Sequence, residues 1–286
     1  MAEGSPSNIT ALLARLRNHC QAGGHDETRA QRHLSAMVVA QLLQGCGAVV
    51  KGGRNLEIRY GLAPTRASSD LDTVRTQSFS DFLVHLEDAL DEGWAGFSGR
   101  IRDRGRIAAP VPDGYQPHRL DVVLTYNGKP GVGTVTLEVA VEEAGGLEDV
   151  EFVESHEASA LFAAVGLPTP DPVALLSVHV QIAQKLHACT TPDDDSWVNE
   201  RAHDLVDLQL LRADLPDRDL QRTHDACVRL FSARQRHSWP PKVTARAGWE
   251  ARYAEERSLV GGVHDSVQDA VDWANLLVEE IESARR

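Results

Sequence analysis

Apolar residues recur at helical spacing along several stretches of the 286-residue chain and at strand spacing along a few shorter ones. Ile9, Leu12, Leu13 and Leu16 predict a helix over residues 9–19, capped by Ser7 or Asn8 and broken by Gly23-Gly24; residues 1–7 read as disordered. A second helix follows over 28–44, with Leu34, Met37, Val38 and Leu42 on a broad apolar face. Ala48-Val49-Val50 suits a short buried strand. Two glycines come next, then a short helix over 54–60 ended by Gly61 and Pro64. Residues 70–74 read as a second strand, 79–92 as an amphipathic helix built on Phe82, Leu83, Leu86 and Leu90, and 101–109 as a strand. Two β-rich runs, 119–126 and 133–141, flank Asn127-Gly128, the signal of a tight hairpin.

Beyond the hairpin, Gly131-Val132-Gly133 reads as part of its turn, and with no helix behind it gives no dinucleotide fingerprint. The acidic stretch 142–157 reads as solvated loop and edge. Asp171-Pro172 opens a helix that runs to about Cys189, with the stripe Leu175, Val178, Ile182, Lys185 and Cys189. Asp195 or Ser196 caps the next helix, which carries residues 201–211. The remainder is mostly helical and closes with an amphipathic helix over 267–281.

The formal net charge of -13 sets the surface as a whole against nucleic acid, so any RNA contact needs a local basic patch. The run Arg218, Arg222, Arg229, Arg234 and Arg236, with Lys242 and Arg246 beyond, is the best candidate. Cys20, Cys46, Cys189 and Cys227 are widely spaced, which predicts free thiols in a reducing, cytoplasmic setting and no cysteine-held zinc. No apolar run approaches the length of a membrane span, and no signal pattern opens the chain. The length allows one large domain or two of medium size.

Candidate chemistry gathers at Lys51-Gly52-Gly53 and at Arg66, Ser68, Asp70 and Asp72. On a strand, Asp70 and Asp72 point the same way while Leu71 faces the core. Two carboxylates on one rim suit a hard divalent cation, and glycines between a strand and a helix bring backbone N–H groups close to a phosphate. Asp121 and Glu138, each flanked by apolar residues, are the two candidates for a third acid. Lys185 occupies a core position of its stripe, so it either snorkels outward or meets an anion. Asp204 and Asp207 share a helix face with Leu208 and Leu211, where Asp204 could orient Lys185 or accept a proton. His203-Asp204 also occurs in metal-dependent phosphohydrolases, but the further histidines such a site requires do not form a set.

Taken together, Lys51-Gly52-Gly53, then Arg66, Ser68, Asp70 and Asp72, then Lys185, then Asp204 and Asp207 followed by Leu208, resemble the AbiEii-type nucleotidyltransferases, toxins of bacterial toxin–antitoxin pairs that include the MenT group. The resemblance runs from about residue 10 to the C-terminal helices. It implies an α+β fold, a small mixed sheet flanked by helices (residues 1–165), followed by a helical C-terminal lobe (residues 166–286). It implies that Asp70 and Asp72 bind Mg2+, with Asp121 offered as their third ligand, and that Lys185 and Asp204 complete the catalytic set. It implies that Lys51, Gly52, Gly53, Arg66, Ser68 and Asp207 bind the substrate. Arg54 stands where the family often has a small hydroxyl residue, and it too could meet a phosphate.

The expected activity is transfer of a nucleoside monophosphate from a nucleoside triphosphate to RNA, with the 3′ end of tRNA as acceptor and a cognate antitoxin as partner. Two alternatives stay open: a transferase acting on a small hydroxylated molecule, and a non-catalytic nucleotide-binding protein.

Overall fold

The structure, a computed structural model, describes residues 4–107, 115–194 and 197–285. Its centre is a seven-stranded mixed sheet in the order β3-β4-β5-β2-β1-β7-β6. The strands are β1 (Ala48–Val50), β2 (Leu71–Arg75), β3 (Phe97–Arg106), β4 (His118–Tyr126), β5 (Lys129–Val141), β6 (Val150–Val153) and β7 (Val173–Leu176). In the same chain order the helices are α1 (Ile9–Gly23), α2 (Glu27–Leu42), α3 (Gly52–Tyr60), α4 (Phe79–Glu92), α5 (His156–Val165), α6 (Val178–Thr190), α7 (His203–Asp214), α8 (Leu220–Arg234), α9 (Trp249–Arg257) and α10 (Val267–Ser283).

Local chemistry sets most of these boundaries. Asn8 caps α1 by accepting from the Ala11 N–H, and Gly24 ends it in the left-handed region at φ 67°. Ser78 caps α4 through the Asp81 N–H. The β4–β5 turn places Asn127 and Gly128 at φ 48° and 73°, the positive pair that a tight hairpin needs. Leu120, Val122 and Leu124 of β4 and Val135, Leu137 and Val139 of β5 fill one face of the sheet, under α1, α2 and α4.

A second core forms where α6, α7, α8, α9 and α10 pack together, and Val49 and Leu56 of the sheet region also belong to it. The two cores meet at β7, where Leu175 belongs to the first and Leu176 to the second.

Four sequence expectations are corrected. Residues 173–176 are a strand and not the start of a helix: Val50 of β1 pairs with Leu175 in parallel, and β6 pairs on the other side. The helix starts only at Val178, behind the cap Ser177. Residues 4–7 are packed down, since Arg15 donates to the Gly4 carbonyl at 2.6 Å and the Tyr126 hydroxyl to the Pro6 carbonyl at 2.9 Å. Gly131-Val132-Gly133 lies inside β5 rather than in the turn, with Val132 in the core. The acidic stretch supplies loop and an edge strand, β6, as read, but also the first residues of α5, which were not expected. The caps proposed at Asp195 and Ser196, and the end of the strand predicted over 101–109, lie outside the described residues.

Candidate active site

One cleft of about 620 Å³ gathers Lys51, Gly52, Gly53, Arg66, Ser68, Asp70, Asp72, Glu138, Lys185 and Asp204. Five separate segments supply these residues. β1 ends at Val50, and the chain turns at Gly52, whose φ of 68° suits glycine, directly into α3. No side chain caps α3, so its first-turn N–H groups are left for a ligand. A side chain at Gly52 would collide with the Asp72 carboxylate, and one at Gly53 would come within 3.1 Å of both Arg66 and the Ser68 hydroxyl. The two glycines therefore let the helix start lie flat against the acids and the Arg66–Ser68 loop.

Leu71 is fully buried, and Asp70 and Asp72 turn the other way into the cleft. Burial and the neighbouring Asp72 raise the Asp70 pKa above the usual carboxylate value, while Ser69, Arg119 and Arg54 pull it down. β2 and β5 run parallel with Asp72 opposite Glu138. Burial raises the Glu138 pKa as well, against the hydrogen bonds from Arg119, whose Nε lies 3.1 Å and Nη2 2.5 Å from Oε1. Asp121 faces Thr136 one row farther along the sheet. Arg104 holds it through Nε at 2.7 Å, and it stands outside this cleft. Of the two candidates for a third acid, the register sets Glu138 beside Asp72.

The opposite wall is a charge cluster. Lys185, 6% exposed, places Nζ 3.1 Å from Asp204 Oδ1 and 2.6 Å from Asp207 Oδ2. Arg66 grips both Asp207 oxygens, with Nε at 3.0 and 3.1 Å and Nη2 at 2.9 Å. Burial would raise the pKa of each aspartate, but the surrounding cations outweigh it and hold both below the usual range: chiefly Lys185 and His203 for Asp204, chiefly Arg66 and Lys185 for Asp207. Asp207 is 0% exposed and its oxygens are taken. It was expected to bind substrate; the structure shows its oxygens engaged by Lys185 and Arg66. Asp204 keeps Oδ2 buried without a hydrogen-bond partner, 3.6 Å from the Arg201 Nε. His203, beside it, is held down to about 4, mainly by burial.

Arg54 does not reach the phosphate cradle. It is 2% exposed, pairs with Glu57 and donates from Nη2 to the Ser68 carbonyl at 2.7 Å. Glu57 accepts the Ser68 backbone N–H at 3.1 Å, and Arg29 joins it at 3.3 Å. The pair thus holds the loop that carries Arg66 and Ser68 by both polar groups of one peptide residue. Sequence reading passed over Glu57, although an acid three positions after a buried arginine on a helix is the signal that would have found it. It also gave no role to Glu143, which meets Arg234 at 2.7 Å on the cleft wall. Lys51 is pushed down by burial, against the pull of Asp72 and Glu143.

Residues 34–279 match the family model described as "Nucleotidyl transferase AbiEii toxin, Type IV TA system". Among solved structures, the chain is similar to MenT4, a nucleotidyltransferase toxin from Mycobacterium tuberculosis, at 15% identity over 96% of this chain and 99% of that one, with a TM-score of 0.50. It is also similar to JHP933 from Helicobacter pylori, at 18% identity over 89% of this chain and 92% of the other, with a TM-score of 0.48. No curated protein gives a significant match. The MenT4 likeness shows the nucleotidyltransferase-like fold. The family model, which spans most of the chain, shows that it belongs to the AbiEii family and is the nucleotidyltransferase toxin of a toxin–antitoxin pair.

Proposed function

We propose that the protein transfers a nucleoside monophosphate from a nucleoside triphosphate to an RNA acceptor, the 3′ end of tRNA, with Mg2+ as cofactor. The observation that carries this reading is the meeting of Asp70, Asp72 and Glu138 with the uncapped start of α3 and with Lys185 in one cleft. The acceptor hydroxyl oxygen attacks the α-phosphorus, its proton passes to a carboxylate of the cleft, and the bond to the bridging oxygen breaks to release pyrophosphate.

The donor set fits Mg2+. Two neighbouring carboxylates, neither paired with a basic side chain among the described residues, face the cleft, and Asp72 raises the cost of ionising Asp70. Among the described residues no group of three His, Cys, Asp or Glu side chains is close enough to hold a metal ion by itself. Mg2+ suits such a site, because it commonly takes one or two carboxylates and completes its shell with substrate phosphates and water. Asp70 and Asp72 are its ligands on this reading, with Glu138, which lines the cleft opposite Asp72 although Arg119 holds it, rather than Asp121, which stands outside the cleft, as the third acid. An ion held there would supply positive charge to the reacting phosphate.

The protein's own groups do the rest. The first-turn N–H groups of α3 and the Ser68 hydroxyl receive the triphosphate. Arg66 and Lys185, fixed by Asp207, supply positive charge that needs no rearrangement as pyrophosphate forms. The enzyme works in the cytoplasm, where both substrates are, and a cognate antitoxin restrains it. No helix of the described residues is long and apolar enough to cross a membrane.

The test is incubation of purified protein with total RNA, Mg2+ and each labelled nucleoside triphosphate in turn. Label on the tRNA 3′ end supports the reading; label on no RNA with any of the four nucleotides counts against it.

A further inference from the structure

The sheet has two faces, and among the described residues only one is covered over β3, β4 and β5. Leu120, Val122, Leu124 and Tyr126 point into the core, while Arg119, Asp121, Val123 and Thr125 point away from it. The pairing registers extend this second face across the strands. Arg100 stands opposite Val123 and Arg102 opposite Asp121, both on β3. Thr134, Thr136 and Glu138 continue it on β5, and Asp72 of β2 stands opposite Glu138. The face that holds the catalytic acids therefore runs without a change of side to the arginines of the edge strand.

Arg104 sits at the irregularity between Asp103 and Gly105 and reaches Asp121 on this face; its side chain is 53% exposed. The Arg119 side chain is 41% exposed. Arg100 and Arg102 are exposed and have no ion-pair or hydrogen-bond partner among the described residues. A groove of about 390 Å³, lined by Asp70, Arg104, Arg119, Asp121 and Thr136, joins this strip to the acids.

The arginines on and after α8 that the sequence favoured for nucleic acid are largely spent on acids. Arg222 meets Asp149 at 2.7 Å, Arg234 meets Glu143 at 2.7 Å, Arg236 meets Asp194 at 2.8 Å and Arg246 meets Asp193 at 2.9 Å.

We infer that the bare face of β3–β5 is the track on which the RNA acceptor lies, its phosphates on Arg100, Arg102, Arg104 and Arg119 and its 3′ end at Asp70 and Asp72. This rests on the proposed reading of the site and adds where the acceptor binds. Three strand spacings separate β3 from β2, about 14 Å, so the arginines meet backbone a few nucleotides behind the reacting end. In a chain of net charge -13, the exposed Arg100 and Arg102, without acidic partners among the described residues, stand in line with Arg104 and Arg119, which pair with Asp121 and Glu138, and lead to the catalytic acids, an arrangement that matches a polyanion. An acidic protein partner on the same face is the competing occupant that the test separates.

The experiment compares full-length wild type, the double variant Arg100→Ala/Arg102→Ala and, as a control on α8 and the turn before it (the α8 variant), Arg218→Ala/Arg229→Ala. RNA affinity is measured by anisotropy over a range of salt, and nucleoside triphosphate affinity by equilibrium dialysis. The β3 variant should bind RNA at least about tenfold more weakly, with the salt slope reduced by about 0.7 for each lost phosphate contact on a single strand. Its nucleotide affinity and melting temperature should match wild type, and the α8 variant should bind RNA normally. RNA binding unchanged in the β3 variant, or lost only in the α8 variant, overturns the inference while leaving the proposed reaction standing. A wild type that binds nucleotide but no RNA overturns both the RNA acceptor and the track.

Discussion

Asp207 holds Arg66 through two guanidinium nitrogens at 2.9–3.1 Å, across 141 residues of sequence. The same carboxylate takes the Lys185 ammonium at 2.6 Å. One buried acid therefore ties the loop before β2 to α6, and so fixes the width of the cleft.

Removing that acid takes the buried partner from Arg66 and leaves Lys185 with Asp204 alone. Asp207→Ala should lower stability by about 3–5 kcal/mol, the usual cost of breaking a buried ion pair from one side. Urea unfolding measures it. Asp204→Asn should cost clearly less, because Asp204 already has one oxygen without a hydrogen-bond partner and Asp207 keeps Lys185 neutralised.

Gly52→Ala should separate activity from stability. The new methyl group has to displace the Asp72 carboxylate, and φ at 68° strains any L residue. The backbone strain costs about 1–3 kcal/mol, which a domain of this size tolerates. Transfer should fall by at least tenfold while a melting curve still shows a cooperative transition. A fully active Gly52→Ala enzyme would mean that the glycine is not needed for the approach of α3 to Asp72.

Arg54 tests the positioning of the Ser68 loop. Arg54→Thr restores the small hydroxyl residue common in the family, but here it removes one of the two grips on the Ser68 backbone and one partner of buried Glu57. KM for the nucleoside triphosphate should rise, with kcat less affected, and the protein should be less stable than wild type. A gain in activity would show that the hydroxyl matters more than the loop contact.

Stability should fall on acidification well before the aspartates titrate. Burial holds His33 down to about 3 and His187 to about 2, and His203 lies at about 4. Below about pH 6.5 the unfolded chain takes up protons at these histidines and the folded chain does not. Each histidine then removes about 1.4 kcal/mol per pH unit, until the pH passes its folded value. Asp204 and Asp207, with lowered values, lose their contribution only at lower pH. Asp70 and Glu138, with raised values, oppose the trend as they protonate. Urea unfolding at a series of pH values between 7 and 5 should show this slope, and His33→Phe should flatten it. Stability independent of pH over that range would contradict the account of neutral buried histidines.

Much of the fold was legible because local signals decided it. The Asn127-Gly128 turn fixed the hairpin, and the Phe82, Leu86 and Leu90 stripe fixed α4, whose bounds are those predicted. β7 was not legible. Val173-Ala174-Leu175-Leu176 is too short to show a period, and what makes it a strand is parallel pairing to β1, a contact distant in sequence. Asp70, Asp72, Lys185 and Asp204 were recognised by their order, and the structure brings all four into one cleft. The choice between Asp121 and Glu138 lay beyond sequence, because only the β2–β5 and β4–β5 registers show which acid stands next to Asp72. The same holds for the arginines: those of α8 meet acids far away in the chain, and those of β3 share the catalytic face only through the sheet.

The central claim is that Asp70 and Asp72 form the metal-dependent heart of a nucleotidyl transfer site. It is tested most directly by measuring transfer of label from nucleoside triphosphate to RNA by wild type and Asp72→Asn, each with Mg2+ and with chelator. Wild type should transfer label only with Mg2+, and Asp72→Asn should lose at least about two orders of magnitude, with the melting temperature unchanged or raised as the repulsion on Asp70 is relieved. Wild-type rates from a folded Asp72→Asn protein, or transfer unaffected by chelation, would contradict it.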